Sequence, residues 1–279
     1  MANPLRLVMI RHGESEANIV QHAQKNDEKF QHEDLINSRV DWKQRISPKG
    51  RAQIRVAAKE FRQLYGGLDF FDKCYTSPFI RARETAVQLS LELSALSGEF
   101  SQKSRWNIDD RLSERIWGIY GVVSRQEQRS HFPLTARLAN DDPWYIRYDG
   151  GESLFDVYSR FKSFRTKLWR KHSGENILIV AHKQLIQTAC YDIEKMLPED
   201  WDKIYENRKY DIPNLGLVGY SRVNPHDAHD VRDDFTWRRI VSLSEASPQN
   251  SNNWEEFSAD KSFSIDELTD QISKYPPFL

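Results

Sequence analysis

The chain has 279 residues, 39% hydrophobic and 12% aromatic, enough core for one large α/β domain or two small ones and too apolar for a disordered chain. With 40 basic against 41 acidic residues the formal charge is −1, so any anion must be held by a local cluster, and bulk nucleic-acid binding is not indicated. Cys74 and Cys190 stand far apart without CxxC or Cys/His spacing, which argues against a disulfide framework or a zinc site and for a reducing compartment. Strand-like sequence begins within a few residues of the start, leaving no space for a signal peptide. No apolar run approaches the roughly 18 residues that span a bilayer, so a soluble, cytoplasmic protein without membrane partners is expected.

Leu5 to Ile10 reads as a buried strand, followed by Arg11-His12-Gly13-Glu14 and by Ser15 to about His22 as a helix whose first N–H groups face the same turn. Residues 23–45 are polar. Ser47-Pro48-Lys49-Gly50 then predicts a helix start, with an amphipathic run from Ala52 to Tyr65 closed by Gly66-Gly67. Phe70 to Thr76 reads as a strand, Arg81 to Leu96 as a helix, and Ile108 to Glu114 as a short extended piece. After Gly150-Gly151 a helix is predicted from about Ser153 to Lys171. Ile177 to Ala181 is the clearest buried strand, with His182 at its C-terminal end and a helix from Lys183 to Met196. Asn214 to Val223 and Thr236 to Leu243 read as late strands at the sheet edge, residues 246–260 as loose, and Ser264-Ile265-Asp266-Glu267 as a capping box for a short terminal helix. The alternation predicts an α/β three-layer sandwich, a mostly parallel central sheet flanked by helices.

Arg11 with His12, Arg81 and His182 fall just past three predicted strand ends, where open α/β sheets place ligands. Guanidinium forks match phosphate oxygens, and imidazole works as nucleophile or acid/base near neutral pH. Two Arg and two His at one sheet edge would neutralise a phosphoryl group in transfer without calling on a metal or other cofactor.

Five ordered motifs give this arrangement a family likeness: Arg11-His12-Gly13-Glu14 with Asn18, Ser77-Pro78-Phe79-Ile80-Arg81-Ala82-Arg83-Glu84-Thr85-Ala86, Leu112-Ser113-Glu114-Arg115, Gly150-Gly151-Glu152-Ser153, and Val180-Ala181-His182. Together they resemble the histidine phosphatase superfamily, which includes the cofactor-dependent phosphoglycerate mutases, over about residues 5–220. The resemblance implies a phosphoglycerate mutase-like fold. It further implies that His12 is the nucleophile, that Arg11, Arg81 and His182 grip the phosphoryl oxygens, that Glu114 is the proton donor and later the base, and that Asn18 contacts phosphate. Lys183 stands where the family usually has Gly, and Trp117 where the mutases carry Tyr. Arg115 and Lys183 are candidate substrate contacts. Glu14 reads as structural.

Other features are assigned to the surface or the core. His226-Asp227-Ala228-His229-Asp230 reads as a surface turn rather than a metal cluster, and His22, His32, His131 and His172 sit in polar stretches without evident partners. Trp144 to Tyr148 reads as packing in a lid. The organisation expected is a catalytic domain over residues 1–245, with lid segments at about 19–45 and 119–149, and a tail over 246–279. The function expected is metal-independent hydrolysis of a small phosphorylated molecule. The alternatives are a mutase or a non-catalytic phosphate-ligand or protein-binding module, and a homo-oligomer is compatible with the sequence.

Overall fold

The computed structural model describes residues 2–26, 28, 35–36, 38–98, 105–121, 125–201, 204, 210–243, 254–275 and 277. Seven strands form one sheet in the order β3-β2-β4-β1-β5-β8-β9. They are β1 (Arg6–Arg11), β2 (Lys73–Thr76), β3 (Trp106–Ile108), β4 (Asn176–Ala181), β5 (Gly216–Ser221), β8 (Trp237–Ser242) and β9 (Glu255–Glu256). A separate hairpin pairs β6 (Val223–Asn224) with β7 (Asp227–Val231). β1 to β4 run parallel, β5 runs against β1, β8 against β5, and β9 against β8. Five of the seven strands thus point the same way, the mostly parallel sheet expected.

β1 shows why its sequence is apolar without a break. Val8 and Ile10 face one helical layer, Leu7 and Met9 the other, so both sides of the pleat are buried. The first layer is α2 (Pro48–Tyr65) with α3 (Ile80–Ser97), which contribute Ile54, Phe61 and Leu89. The second is α6 (Leu154–Lys171) with α7 (Lys183–Ile193), which contribute Phe161, Phe164 and Leu185. Around this three-layer body lie α1 (Glu16–Lys25), α4 (Arg125–His131), α5 (Pro133–Asp141) and α8 (Ile265–Ser273). No helix among the described residues is long and apolar enough to cross a membrane.

The helix starts follow their signals. Ser15, Ser47, Ser153 and Ser264 each accept a hydrogen bond from a backbone N–H of the first turn, and Pro48 sits at the first position of α2. Several boundaries differ from expectation. Leu68–Phe70 is a 3-10 turn rather than the start of β2, and Phe70 and Phe71 join Phe61 and Tyr65 in an aromatic cluster. The extended piece expected over 108–114 is β3 followed by a second 3-10 turn, Asp110–Leu112. Neither β5 nor β8 is an edge strand, since each is hydrogen-bonded on both sides; among the described residues the edges are β3 and β9. The His226–Asp230 stretch belongs to the β6–β7 hairpin. Of residues 246–260, expected to be loose, 246–253 lie outside the described residues. The tail beyond them rejoins the sheet: Glu255 and Glu256 pair with Arg238 and Trp237, and Phe257 packs on the core.

His172 is a further correction. It is buried, with its Nε2 3.0 Å from the Tyr75 hydroxyl and its Nδ1 2.7 Å from Glu175, so it ties β2 to the end of α6. Trp144 of the expected lid packs 4.0 Å from Tyr191 and 5.2 Å from Trp201, anchoring that segment to the body.

Candidate active site

The strand order places β4 between β2 and β1, so the segments leaving their C-terminal ends are neighbours. His12 N–H donates to Ala181 O at 2.9 Å and Ser77 N–H to Val180 O at 3.1 Å, extending the ladders just past the strands. His12 and His182 come within 5.1 Å, ring centre to ring centre, in an edge-on arrangement, and both are buried. Phe79 lies 5.1 Å from His182 and also under the Arg81 guanidinium at 4.9 Å. Three of the motifs therefore meet at one sheet edge.

The tautomer of His12 follows from its partner. Nδ1 lies 2.7 Å from Gly13 O, and a carbonyl only accepts, so Nδ1 carries the hydrogen and Nε2 keeps its lone pair. Burial, reinforced by Arg81 and Arg11, holds the His12 pKa well below its usual value, so the ring is neutral at pH 7. His182 is likewise held well below its usual value by burial and by Arg81. Its Nε2 is 2.8 Å from the Ser77 hydroxyl, which already receives the Phe79 N–H at 3.2 Å. The hydroxyl is thus set to donate to Nε2, leaving the hydrogen on Nδ1, a buried atom without a partner among the described residues.

The turn after β1 is held from several sides. Gly13 N–H donates to Thr85 Oγ1 at 3.0 Å, and Thr85 passes its hydroxyl hydrogen to Arg81 O at 2.7 Å. Asn214 donates to His12 O at 3.0 Å and to Asn18 Oδ1 at 3.1 Å. Glu14 accepts from the Ser47 hydroxyl at 2.8 Å and pairs with Lys49 at 2.9 Å, fixing the turn to the start of α2. Gly50 is required there, because a Cβ would lie 2.2 Å from Glu14 O.

Two guanidiniums complete the cationic set. Arg11 donates to Ile212 O at 2.9 Å, and burial brings its pKa down to about 10, which leaves it charged at neutral pH. Arg81 is 5% exposed and forks onto Asp41, Nη1 to Oδ1 at 2.9 Å and Nη2 to Oδ2 at 3.2 Å, with Nη1 also 2.7 Å from Asp41 O. Glu114 is close enough to Arg11 and Arg81 to feel both charges, yet burial outweighs them and pushes its pKa up. Its loop is clamped by Arg160, which donates to Arg111 O at 2.7 Å, to Glu114 O at 3.1 Å and to the Glu152 carboxylate at 2.9 Å. The Gly150-Gly151 motif serves the same loop, with Trp117 bridged to Gly151 and Glu152 N–H donating to Ile116 O at 2.7 Å.

Three other expected site residues have partners within the chain. Asn18 accepts from Ser15 N at 3.2 Å in the α1 capping box. Lys183 pairs with Asp211. Arg115, expected as a substrate contact, is 3% exposed, donates to Glu152 O and Ile146 O, and lies over Trp117 at 4.7 Å and Tyr148 at 4.8 Å. Those bonds make it part of the scaffold around Glu114. Ser77 and Thr85 stood in a motif but drew no role in the sequence, and Asp41 and Arg160 carried no local signal.

The family model of the histidine phosphatase superfamily, branch 1, matches residues 7–210. The chain belongs to the histidine phosphatase superfamily. Among its relatives, phosphoserine phosphatase 1 of Hydrogenobacter thermophilus is 23% identical over 76% of this chain and 87% of its own. The phosphoglycerate mutase-like protein AT74H of Arabidopsis thaliana is 28% identical over 82% of this chain and 81% of its own. A mycobacterial glucosyl-3-phosphoglycerate phosphatase structure shares the fold, with TM-score 0.54 and 22% identity over 87% of this chain and 99% of that one. The superfamily thus supplies both phosphatase and mutase relatives.

Proposed function

We propose that this chain hydrolyses small phosphomonoesters through a phosphohistidine on His12. The observation that carries the reading is the His12 Nδ1–H bond to Gly13 O, which leaves a neutral imidazole with its Nε2 lone pair free to attack phosphorus. The N–P bond forms as the ester P–O bond breaks. Arg11, Arg81 and the Nδ1–H of His182 then stabilise the charge on the transferring oxygens. Glu114, whose raised pKa favours the protonated form, gives its proton to the leaving alkoxide. In the second half the Glu114 carboxylate takes a proton from water as it attacks phosphorus, releasing phosphate and restoring His12. These side chains supply every step, without a metal or cofactor.

Hydrolysis is favoured over a mutase because Arg115, the cation next to Glu114, is already committed to the Glu114 loop. A mutase needs free cations to retain a bisphosphorylated intermediate. The intact nucleophile argues against a mere binding module. The test is a phosphate-release screen that starts from phosphoserine and phosphoglycerates, the compounds named for relatives, with rapid-quench detection of an acid-labile, base-stable phosphoenzyme. Release and label should both vanish in His12→Ala. Turnover that persists in that variant refutes the reading, and bisphosphate-stimulated isomerisation without release makes the protein a mutase.

A further inference from the structure

At the other end of β1 from His12, a cavity of about 350 Å³ opens between the end of α2 and the sheet, within the size range of small-ligand pockets. Arg6, Tyr65, Phe70, His226, Arg239 and Trp254 line it. Arg6 stands five residues before Arg11 on the strand, roughly 17 Å away at ~3.3 Å per residue, so the cavity is separate from the phosphoryl site.

Neither Arg6 nor Arg239 has a carboxylate within ion-pair distance among the described residues, and Arg239 Nε is buried without an acceptor among them. Burial lowers the pKa of both, and Arg239 lowers that of Arg6 further, the sign of two positive groups sharing one partly dry space. Their polar partners are neutral: Arg6 donates to Asn176 Oδ1 at 3.4 Å, and Arg239 faces the Tyr65 hydroxyl. Each guanidinium also rests on a ring: Arg6 is 5.5 Å from the centre of Phe70, and Arg239 is 4.5 Å from that of Trp254 and 6.0 Å from that of Tyr65. Burial pushes the Tyr65 phenol up to about 12, so it carries no negative charge at neutral pH.

The cavity is also built into the sheet. A Cβ on Gly219 of β5 would come within 3.2 Å of the Trp254 ring and 3.3 Å of the Tyr65 hydroxyl, so glycine lets both close on the strand. The next two residues, Glu255 and Glu256, pair with β8 and hold Trp254 in place.

We propose that this cavity is a second ligand site, for a compact dianion joined to a flat ring, the chemistry of a nucleoside monophosphate. The dianion supplies the countercharge that Arg6 and Arg239 lack among the described residues, and the ring lies against Phe70 and the apolar Leu64 and Pro225.

The test titrates the fluorescent N-methylanthraniloyl ester of AMP into the His12→Ala protein, which cannot turn it over. Arg6→Gln with Arg239→Gln should weaken binding tenfold or more, as should Trp254→Leu, a milder change that keeps the test valid if the double variant fails to fold. AMP should displace the probe, while adenosine and inorganic phosphate at equal concentration should not. Arg81→Ala should leave the affinity unchanged. Unchanged binding in a folded double variant or in Trp254→Leu overturns the proposal. So does loss of binding in Arg81→Ala, which would return the ligand to the phosphoryl site, or displacement by inorganic phosphate alone, which would mark a plain anion site.

Discussion

Asp41→Asn is expected to tighten phosphate binding. In the proposed reaction Arg81 faces the phosphoryl oxygens, yet its two terminal nitrogens are engaged by the Asp41 carboxylate at 2.9 and 3.2 Å. Every substrate must displace that carboxylate to gain the fork. Arg81 is 5% exposed but the Asp41 side chain is 53% exposed, so the pair lies between a surface ion pair, about 0–1 kcal/mol, and a hydrogen bond to a buried charge, about 1.5–3 kcal/mol. A value of about 1–1.4 kcal/mol corresponds to a roughly five- to tenfold change in affinity. Asparagine keeps the size and removes the charge. Steady-state kinetics should show KM for a phosphomonoester and Ki for vanadate both falling by about that factor, with kcat changed less than about twofold. A rise in KM would mean that Asp41 assists binding, and unchanged values would mean that Arg81 does not hold the phosphoryl group.

Glu114→Gln should lower kcat by about 10²–10⁴ on an alkyl phosphate and far less on p-nitrophenyl phosphate, whose leaving group needs no proton; equal losses would remove Glu114 from the acid role. Because burial raises the Glu114 pKa, the alkyl phosphate rate should fall as pH rises through that raised value. His12 and His182 keep their protons off to well below the usual value, whereas the unfolded chain binds protons there near pH 6.5. Their contribution to stability is therefore complete above that pH and declines below it, and the urea midpoint should drop from about pH 7 to about pH 5, with a shallower drop in His182→Asn; equal slopes would contradict the assignment. Gly50→Ala forces a Cβ to 2.2 Å from Glu14 O, at a cost of about 1–3 kcal/mol, so both Tm and kcat should fall, and an unaltered kcat would uncouple this contact from His12.

Local pattern carried the parts of this fold that local chemistry decides. The serine caps, Pro48 and the unbroken apolar runs of β1 and β4 mark their elements within a few residues. The place of β5 beside β1 was not legible, because antiparallel pairing of two distant strands leaves no trace in either one's periodicity. The same division runs through the site. Arg11, His12, Arg81, Glu114 and His182 stand in ordered motifs. Arg160 meets the Glu114 loop only when α6 packs beside it, and Asp41 reaches Arg81 from a stretch with no pattern. The surroundings of Arg115 were hidden for a related reason: its charge beside Glu114 suggests substrate, while the ring of Tyr148 that holds it is supplied by a distant turn.

The insertion of β4 between β1 and β2 has a kinetic consequence. His12 and Arg81 follow strands made early in the chain, but the strand that joins those two, and delivers His182, arrives only after the whole of α4 to α6 has been threaded. Such pairings carry a large loop-closure entropy and rank among the slower events of folding. No N-terminal piece ending before β4 can assemble the proposed reacting groups. During synthesis or refolding, helical signal should therefore return ahead of turnover, and the first catalytic cycle dates the moment at which the middle strand has locked between its two older neighbours.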